Sequence, residues 1–200
     1  MYVVAGPNGA GKSTLTRGAR NEFGLEPIDA DAIQRDSGMS SAAAWHEALR
    51  RCRKAIARRE SFLVETTLAG SDPTRPSTYL TLMQEAKARG YRVDLTFIAL
   101  ANADAHVARV ADRVAGGLHH IPEPLIRARY DRSLQRAADA LHIVDHALLL
   151  DNSSAAMPFR LVLEAVSGTI LVQGAKVPPD WVDRIRRRFE LGITTGQPDP

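Results

Sequence analysis

The stretch Gly6-Pro7-Asn8-Gly9-Ala10-Gly11-Lys12-Ser13 spells G-x-x-x-x-G-K-[ST], directly after the apolar run Tyr2-Val3-Val4-Ala5 and before residues that can continue as a helix. Strand, glycine-rich turn and helix in that order make a phosphate-binding loop. The glycines lack Cβ atoms, so successive backbone N–H groups can turn inward and form a nest for an anion. Lys12 can then reach the β- and γ-phosphates of a nucleotide, while the Ser13 hydroxyl is placed to complete a Mg²⁺ shell shared with phosphate oxygens. The start of the helix adds its positive dipole end. The expectation is an ATP and Mg²⁺ site built from Gly6, Pro7, Asn8, Gly9, Ala10, Gly11, Lys12, Ser13 and Thr14, with Ser13 on the metal.

Outward from the loop, apolar β-branched runs alternate with helical patterns. A helix from about Lys12 is followed by a strand at Glu26–Asp31, a helix over about 42–59, a strand at Ser61–Glu65, and a Thr/Gly/Pro loop from Thr66 to Pro76. Next come a helix over about 79–89 closed by Gly90, a strand at Val93–Leu100, a helix from about Asp104, and a strand at Ala147–Leu150. This alternation predicts an α/β fold of the P-loop NTPase kind, a parallel sheet flanked by helices on both faces. Residues 160–173 read as a β-hairpin, and Pro178-Pro179 opens a short basic helix through Leu191. We expect one domain over 1–193 and a frayed polar tail over 194–200.

Two hundred residues suit one core of ordinary size, without staples. The single cysteine, Cys52, excludes an intrachain disulfide, and with no secretory leader pattern the expected location is the cytoplasm. Every apolar run is too short to cross a bilayer as a helix. The net charge of +3 is mildly basic and comes mostly from arginines clustered in a few segments, which suits a polyanionic ligand such as ATP.

In a parallel sheet, ligands bind beyond the carboxyl ends of the strands. The second strand ends at Asp29/Asp31 and the third at Glu65-Thr66-Thr67. Asp31 before Ala-Ile-Gln suits a helix N-cap as well as a substrate-facing carboxylate. Glu65, opposite the metal-binding serine, suits a water-mediated metal contact or a substrate hydroxyl, and a solvent-facing strand end is the plain alternative. The arginine-rich span from Arg109 to Leu134 has a Gly/His/Pro joint between two helical stretches. That pattern fits a lid, about 104–140, that offers guanidinium groups to a transferring phosphoryl, although solvated amphipathic helices would also carry such charges. The paired His119-His120 lack a carboxylate or cysteine at ligand spacing.

From Tyr2 to Ser153 the chain resembles the zeta-toxin family, in particular its compact stand-alone bacterial members often labelled predicted ABC-type ATPases. The resemblance is carried by Gly6–Thr14, Asp29-Ala30-Asp31, Phe62-Leu63-Val64-Glu65-Thr66-Thr67-Leu68, Gly90-Tyr91, Arg113, and Ile126-Arg127-Ala128-Arg129-Tyr130-Asp131-Arg132-Ser133-Leu134. It implies an ATP-dependent kinase that phosphorylates a hydroxyl of a UDP-N-acetylhexosamine and is restrained by an antitoxin protein. By the same resemblance Asp31 is the base facing the acceptor hydroxyl, Glu65 and Thr66 lie on the substrate side, and Arg113 is the lid arginine on the γ-phosphate. The familiar toxins carry a second lid arginine three residues before a proline. Here that position holds His119, and Arg127, Arg129 or Arg132 can take its place, with Arg129 counted among the catalytic residues.

Other classes share parts of this pattern. An ABC-type or repair ATPase would have the same loop, but no Leu-Ser-Gly-Gly-Gln signature is present. A nucleic-acid-associated NTPase could use Arg184-Ile-Arg186-Arg187-Arg188, a basic face that solvent alone would also accommodate.

Overall fold

The computed structural model describes residues 1–70, 77–115, 121–172 and 178–194, without the side chains of 23, 113–115, 172, 193 and 194. The expected alternation is there: β1 (Tyr2–Ala5), α1 (Lys12–Phe23), β2 (Pro27–Asp29), α2 (Ala30–Ser37), α3 (Ser41–Arg58), β3 (Leu63–Thr66), α4 (Thr78–Ala88), β4 (Asp94–Ala99), α5 (Ala103–Ala115), α6 (Glu123–Leu141) and β5 (His146–Asp151). The hairpin follows as β6 (Arg160–Val166) and β7 (Thr169–Val172), and α7 (Asp180–Thr194) is the last described element. Gln173, the end expected for the hairpin, and the tail beyond Thr194 lie outside the described residues.

These strands form one mixed sheet in the order β2-β3-β1-β4-β5-β6-β7. The first five strands are parallel, and β6 pairs antiparallel with both β5 and β7. The order brings β1 between β3 and β4, so the loop leaving β1 emerges at the centre of the sheet where the crossover direction reverses. That reversal point is where an open α/β sheet offers its crevice.

Strand alternation sorts the core. Val3, Ala5, Val64, Leu95, Phe97 and Leu149 point into one apolar layer, together with Leu49 and Cys52 of α3, Leu82 and Met83 of α4, Leu134 and Ala138 of α6, and Trp181 and Ile185 of α7. Val4, Leu63 and Ile98 point to the other face, where Leu15 and Ala19 of α1 meet them. With both faces covered, the parallel strands must be apolar throughout, which is why Tyr2–Ala5 and Leu95–Ala99 read as continuous runs.

One boundary differs from the sequence reading in a way that matters for the site. The second strand stops at Asp29 rather than Asp31, and α2, which the reading allowed only as a helix capped by Asp31, starts at Ala30. Asp29, not Asp31, is the helix cap: its carboxylate accepts the Asp31 N–H at 3.0 Å. Asp31 therefore sits in the first turn of α2 with its side chain exposed.

Candidate active site

The phosphate loop is held in a shape that only its glycines permit. Gly6 adopts φ +147°, and a Cβ there would lie 2.0 Å from the Ile98 carbonyl oxygen. Gly11 adopts φ +99°, and a Cβ would meet the Asn152 side-chain nitrogen at 2.5 Å. Gly11 is also the N-cap of α1, so no capping side chain occupies the helix start, and the first turn carries no acidic residue. The positive end of α1 is thus left for a ligand anion. Lys12 is buried at this turn and its Nζ donates to the carbonyls of Gly6 at 2.9 Å and Pro7 at 3.1 Å, which curls the ammonium over the loop.

Four strands contribute neighbours to that loop. From β3, the buried Glu65 carboxylate accepts hydrogen bonds from the Ser13 hydroxyl at 3.1 Å and the Thr16 hydroxyl at 3.0 Å. Thr66 accepts the Gly6 N–H through its carbonyl and the Leu68 N–H through its hydroxyl. From β2, Asp29 stands beside Glu65 in parallel register. Burial, reinforced by the Glu65 charge, pushes the Asp29 carboxyl up to about 6. Just beyond β4, Leu100 contacts His106 of α5. From the end of β5, Asn152 donates to the Ala10 carbonyl at 2.9 Å and accepts from Arg109 through its own carbonyl at 3.0 Å.

Helix α6 closes the other side. The Arg129 guanidinium donates to the Asn8 side-chain oxygen at 3.3 Å, and its affinity for its proton is lowered by burial and partly restored by the nearby Asp31 charge. Arg132 donates to the Ala69 carbonyl at 3.3 Å and Ser133 to the Thr67 carbonyl at 2.6 Å, so α6 is stitched to the segment that leaves β3. Of the arginines weighed from the sequence, Arg129 reaches the loop. Arg127 instead pairs with Asp104 and Glu123 on the exposed side of the helix. Arg113 belongs to α5 by its backbone, while its side chain, and His119 altogether, lie outside the described residues.

The donor set fits the groups the motif implies. A nest of positive-φ glycines, a helix start without a capping side chain and a buried ammonium suit a polyphosphate. A serine hydroxyl held by a carboxylate is an oxygen-only set of the kind Mg²⁺ takes, directly or through water. Asp31 and Thr14 are exposed at the mouth.

His106, Arg109 and Asn152 were not read as loop contacts. His106 shares a helix face with Val110, four residues on, and both are buried, so the signal available was apolar periodicity rather than chemistry. Asn152 follows an apolar strand just as Glu65 ends one, and that position is the signal the sequence carries for it.

The protein comparisons agree with this geometry. The Zeta toxin family model matches residues 1–155. An uncharacterized protein of Haemophilus influenzae is 30% identical over 130 residues, spanning 62% of this chain and 88% of that protein. Among solved structures, one described as part of the PezAT chromosomal toxin-antitoxin system of Streptococcus pneumoniae aligns with a TM-score of 0.58 at 16% identity, covering 95% of this chain and 85% of that one. A sugar kinase from Janibacter sp. HTCC2649 aligns with a TM-score of 0.50 at 19% identity, over 96% of this chain and 91% of that one.

Proposed function

Because the chain belongs to the zeta toxin family, we propose that it is an ATP-dependent small-molecule kinase that transfers the γ-phosphoryl group to a hydroxyl of a UDP-N-acetylhexosamine. The observation that carries this reading is convergence: the phosphate loop, the Asp29/Asp31 and Glu65 carboxylates and the Arg129 guanidinium meet at one end of the sheet. Gly6–Thr14 wrap the triphosphate, and Lys12 leaves its carbonyl partners to neutralise the β- and γ-phosphates. Ser13 would hold Mg²⁺, which would supply charge neutralisation to the triphosphate. Asp31 accepts the proton of the acceptor hydroxyl as its oxygen attacks the γ-phosphorus, the bond to the β-phosphate oxygen breaks, and ADP leaves. Glu65 orients Ser13 and faces the substrate side with Thr66. Arg129 and Arg113 offer guanidinium groups to the transferring phosphoryl, and residues 104–140 act as the lid of a single domain extending to 193.

The protein acts in the cytoplasm, where ATP and sugar nucleotides are found, and an antitoxin protein is its expected macromolecular partner. The experiment is a mass-resolved screen of ATP consumption against sugar nucleotides, nucleosides, aminoglycosides and tRNA. Phosphorylated UDP-N-acetylglucosamine is the expected product, and Lys12→Ala should remove turnover in a folded protein. Exclusive modification of another class would overturn the substrate; full turnover in folded Lys12→Ala would overturn the nucleotide site.

A further inference from the structure

His106 is fully buried, and both of its ring nitrogens are engaged by main-chain groups. The Leu100 N–H can only donate, so the Nε2 atom 3.0 Å away must hold its lone pair towards it. Nδ1 lies 2.7 Å from the Asn8 carbonyl, which can only accept, so Nδ1 carries the proton. The tautomer follows from the partners alone. Tyr130 of α6 packs on the ring with centroids 5.2 Å apart. The backbone of α5 lies close to the loop as well, since a Cβ at Gly9 would meet the His106 carbonyl oxygen and Val110 at 3.3 Å.

Asn8 is consequently gripped twice, through its carbonyl by α5 and through its side chain by Arg129 of α6. A trans peptide unit is planar, with its C=O and the following N–H pointing in opposite directions. A bond that draws the Asn8 carbonyl towards α5 therefore aims the Gly9 N–H away from α5. An anion held in the loop would accept a hydrogen bond from that direction.

We infer that His106 is a positioning residue of the phosphate loop: its neutral Nδ1–H form ties the Asn8 carbonyl to the end of β4 and thereby sets the Gly9 N–H for phosphate. It touches neither phosphate nor acceptor, and it acts through the Asn8–Gly9 peptide. The inference rests on reading the loop as a nucleotide site. Without the ring, Leu100 N–H and Asn8 C=O would both be left unpartnered in a buried setting, and the peptide would be free to flip. Burial, with the Lys12 and Arg109 charges adding to it, depresses the His106 pKa to about 4, which keeps the strut neutral across the physiological range.

Two sets of measurements test this. In the ligand-free protein, histidine ¹⁵N NMR should show His106 protonated on Nδ1 alone. In His106→Phe, the Ala10 amide, which donates to the Pro7 carbonyl at 3.3 Å within the loop, should exchange with solvent roughly tenfold faster while β4 and β5 amides keep their protection. An Nε2-protonated ring, or unchanged exchange at Ala10, overturns the strut whether or not nucleotide binds. By calorimetry, His106→Phe should bind Mg·ATP and Mg·ADP roughly tenfold or more weakly, with kcat at saturating ATP changed less than about threefold. His106→Asn, whose amide can donate near the Nδ1 position, should recover part of that affinity. Val182→Ala in the buried face of α7 serves as the control for general destabilisation. Equal weakening in that variant, or wild-type affinity in folded His106→Phe, overturns the inference. If the wild type itself binds neither nucleotide, the nucleotide reading fails instead, and the exchange result still decides the strut.

Discussion

The two flanks of the phosphate loop are built differently. On one side stand Asp29, Asp31 and Glu65, supplied by the ends of β2 and β3 and the first turn of α2; on the other stand His106, Arg109 and Arg129, supplied by α5 and α6. The acidic flank is positioned by the backbone itself, because Asp29 and Glu65 are register partners in adjacent parallel strands. The basic flank is positioned by helix packing, through side chains that arrive about a hundred residues after the loop: His106 and Arg129 grip Asn8 by its carbonyl and its side chain, and Arg109 binds the neighbouring Asn152 carbonyl. A strand-end carboxylate can be aimed at an acceptor without depending on the lid, whereas a guanidinium on α6 moves whenever α6 moves. In the proposed reaction this separates chemistry that must be rigid from chemistry that must close over substrate.

The sharpest break in that comparison comes from exchanging one residue on each flank. Asp31→Asn should lower kcat roughly 10³-fold while ATP affinity stays within about threefold, because the proposed base faces the acceptor and not the nucleotide. Arg129→Ala should lower kcat by roughly 10²-fold and weaken ATP as well, since its guanidinium also braces Asn8. Steady-state kinetics varied in both substrates separate the two patterns. An Asp31→Asn enzyme that transfers phosphate at the wild-type rate would leave Asp31 as a first-turn residue without a catalytic role.

Next in size is an opposition between the flanks as pH falls. The imidazole of His106 is held to about 4, below its ordinary value, by burial and by the Lys12 and Arg109 charges; the Tyr130 ring packs on it. The unfolded chain takes up that proton near pH 6.5 and the native protein does not, so this group removes stability as pH falls from about 6.5 towards 4. Asp29 is held up at about 6 by burial and by Glu65 and Asp31, against the pull of the Asp31 N–H and Lys12. Its folded pKa exceeds the unfolded one, so its contribution is fully present below about pH 3.8 and is lost as pH rises through about 6. Each displacement corresponds to up to about 3 kcal/mol, and the slopes oppose one another. Denaturant unfolding between about pH 7 and pH 4.5 should therefore be shallow in the wild type, fall with acid in Asp29→Asn, and rise with acid in His106→Gln. Parallel curves for the two variants would show that these groups do not carry the linkage.

The same division explains what could be read beforehand. Strand ends are legible because apolar runs of period two, or unbroken ones, stop abruptly at a polar residue, and Glu65-Thr66 after Phe62-Leu63-Val64 is such a stop. Asp29 and Asp31 were legible as a pair, yet their roles were not: which of them caps α2 depends on where β2 releases the chain, a matter of sheet register that the letters do not encode. The α5 and α6 residues were legible as an arginine-rich stretch, within which the family resemblance pointed to Arg113 and to Arg129 among three alternatives. Arg127, Arg129 and Arg132 are close in sequence but differ by about a hundred degrees per residue around the helix, so which one meets Asn8 is decided by the rotation at which Ile126, Tyr130 and Leu134 pack. His106 carries no such signal, since nothing local distinguishes a histidine that will find two backbone partners from one that will not.

A smaller effect belongs to Glu65, which sits on the acidic flank but bonds the loop. Its carboxylate accepts from both Ser13 and Thr16, so it fixes the rotamer of the hydroxyl proposed for Mg²⁺. Glu65→Gln keeps the shape but replaces one acceptor oxygen with a donor that faces a hydroxyl hydrogen. The Mg²⁺ concentration for half-maximal activity should rise roughly tenfold, with a lesser change in kcat at saturating metal. An unchanged Mg²⁺ dependence with a large loss in acceptor affinity would move Glu65 wholly to the substrate side.

The smallest expected effect lies on the same helix as Arg129 and tests whether the basic flank is a site or merely a charged surface. Arg127 is two residues away and carries the same charge, but its guanidinium is engaged with Asp104 and Glu123 at 2.6 and 2.8 Å in solvent. Exposed pairs of this kind are screened and worth little. Arg127→Ala should therefore change kcat and KM for ATP by less than about twofold, and added salt should not alter that ratio. If general positive charge on α6 were what drew the nucleotide, Arg127→Ala and Arg129→Ala would weaken ATP alike and both losses would shrink with salt. A loss confined to Arg129 and insensitive to salt would mean that helix rotation, which turns one guanidinium of the two onto Asn8, gives the lid its specificity.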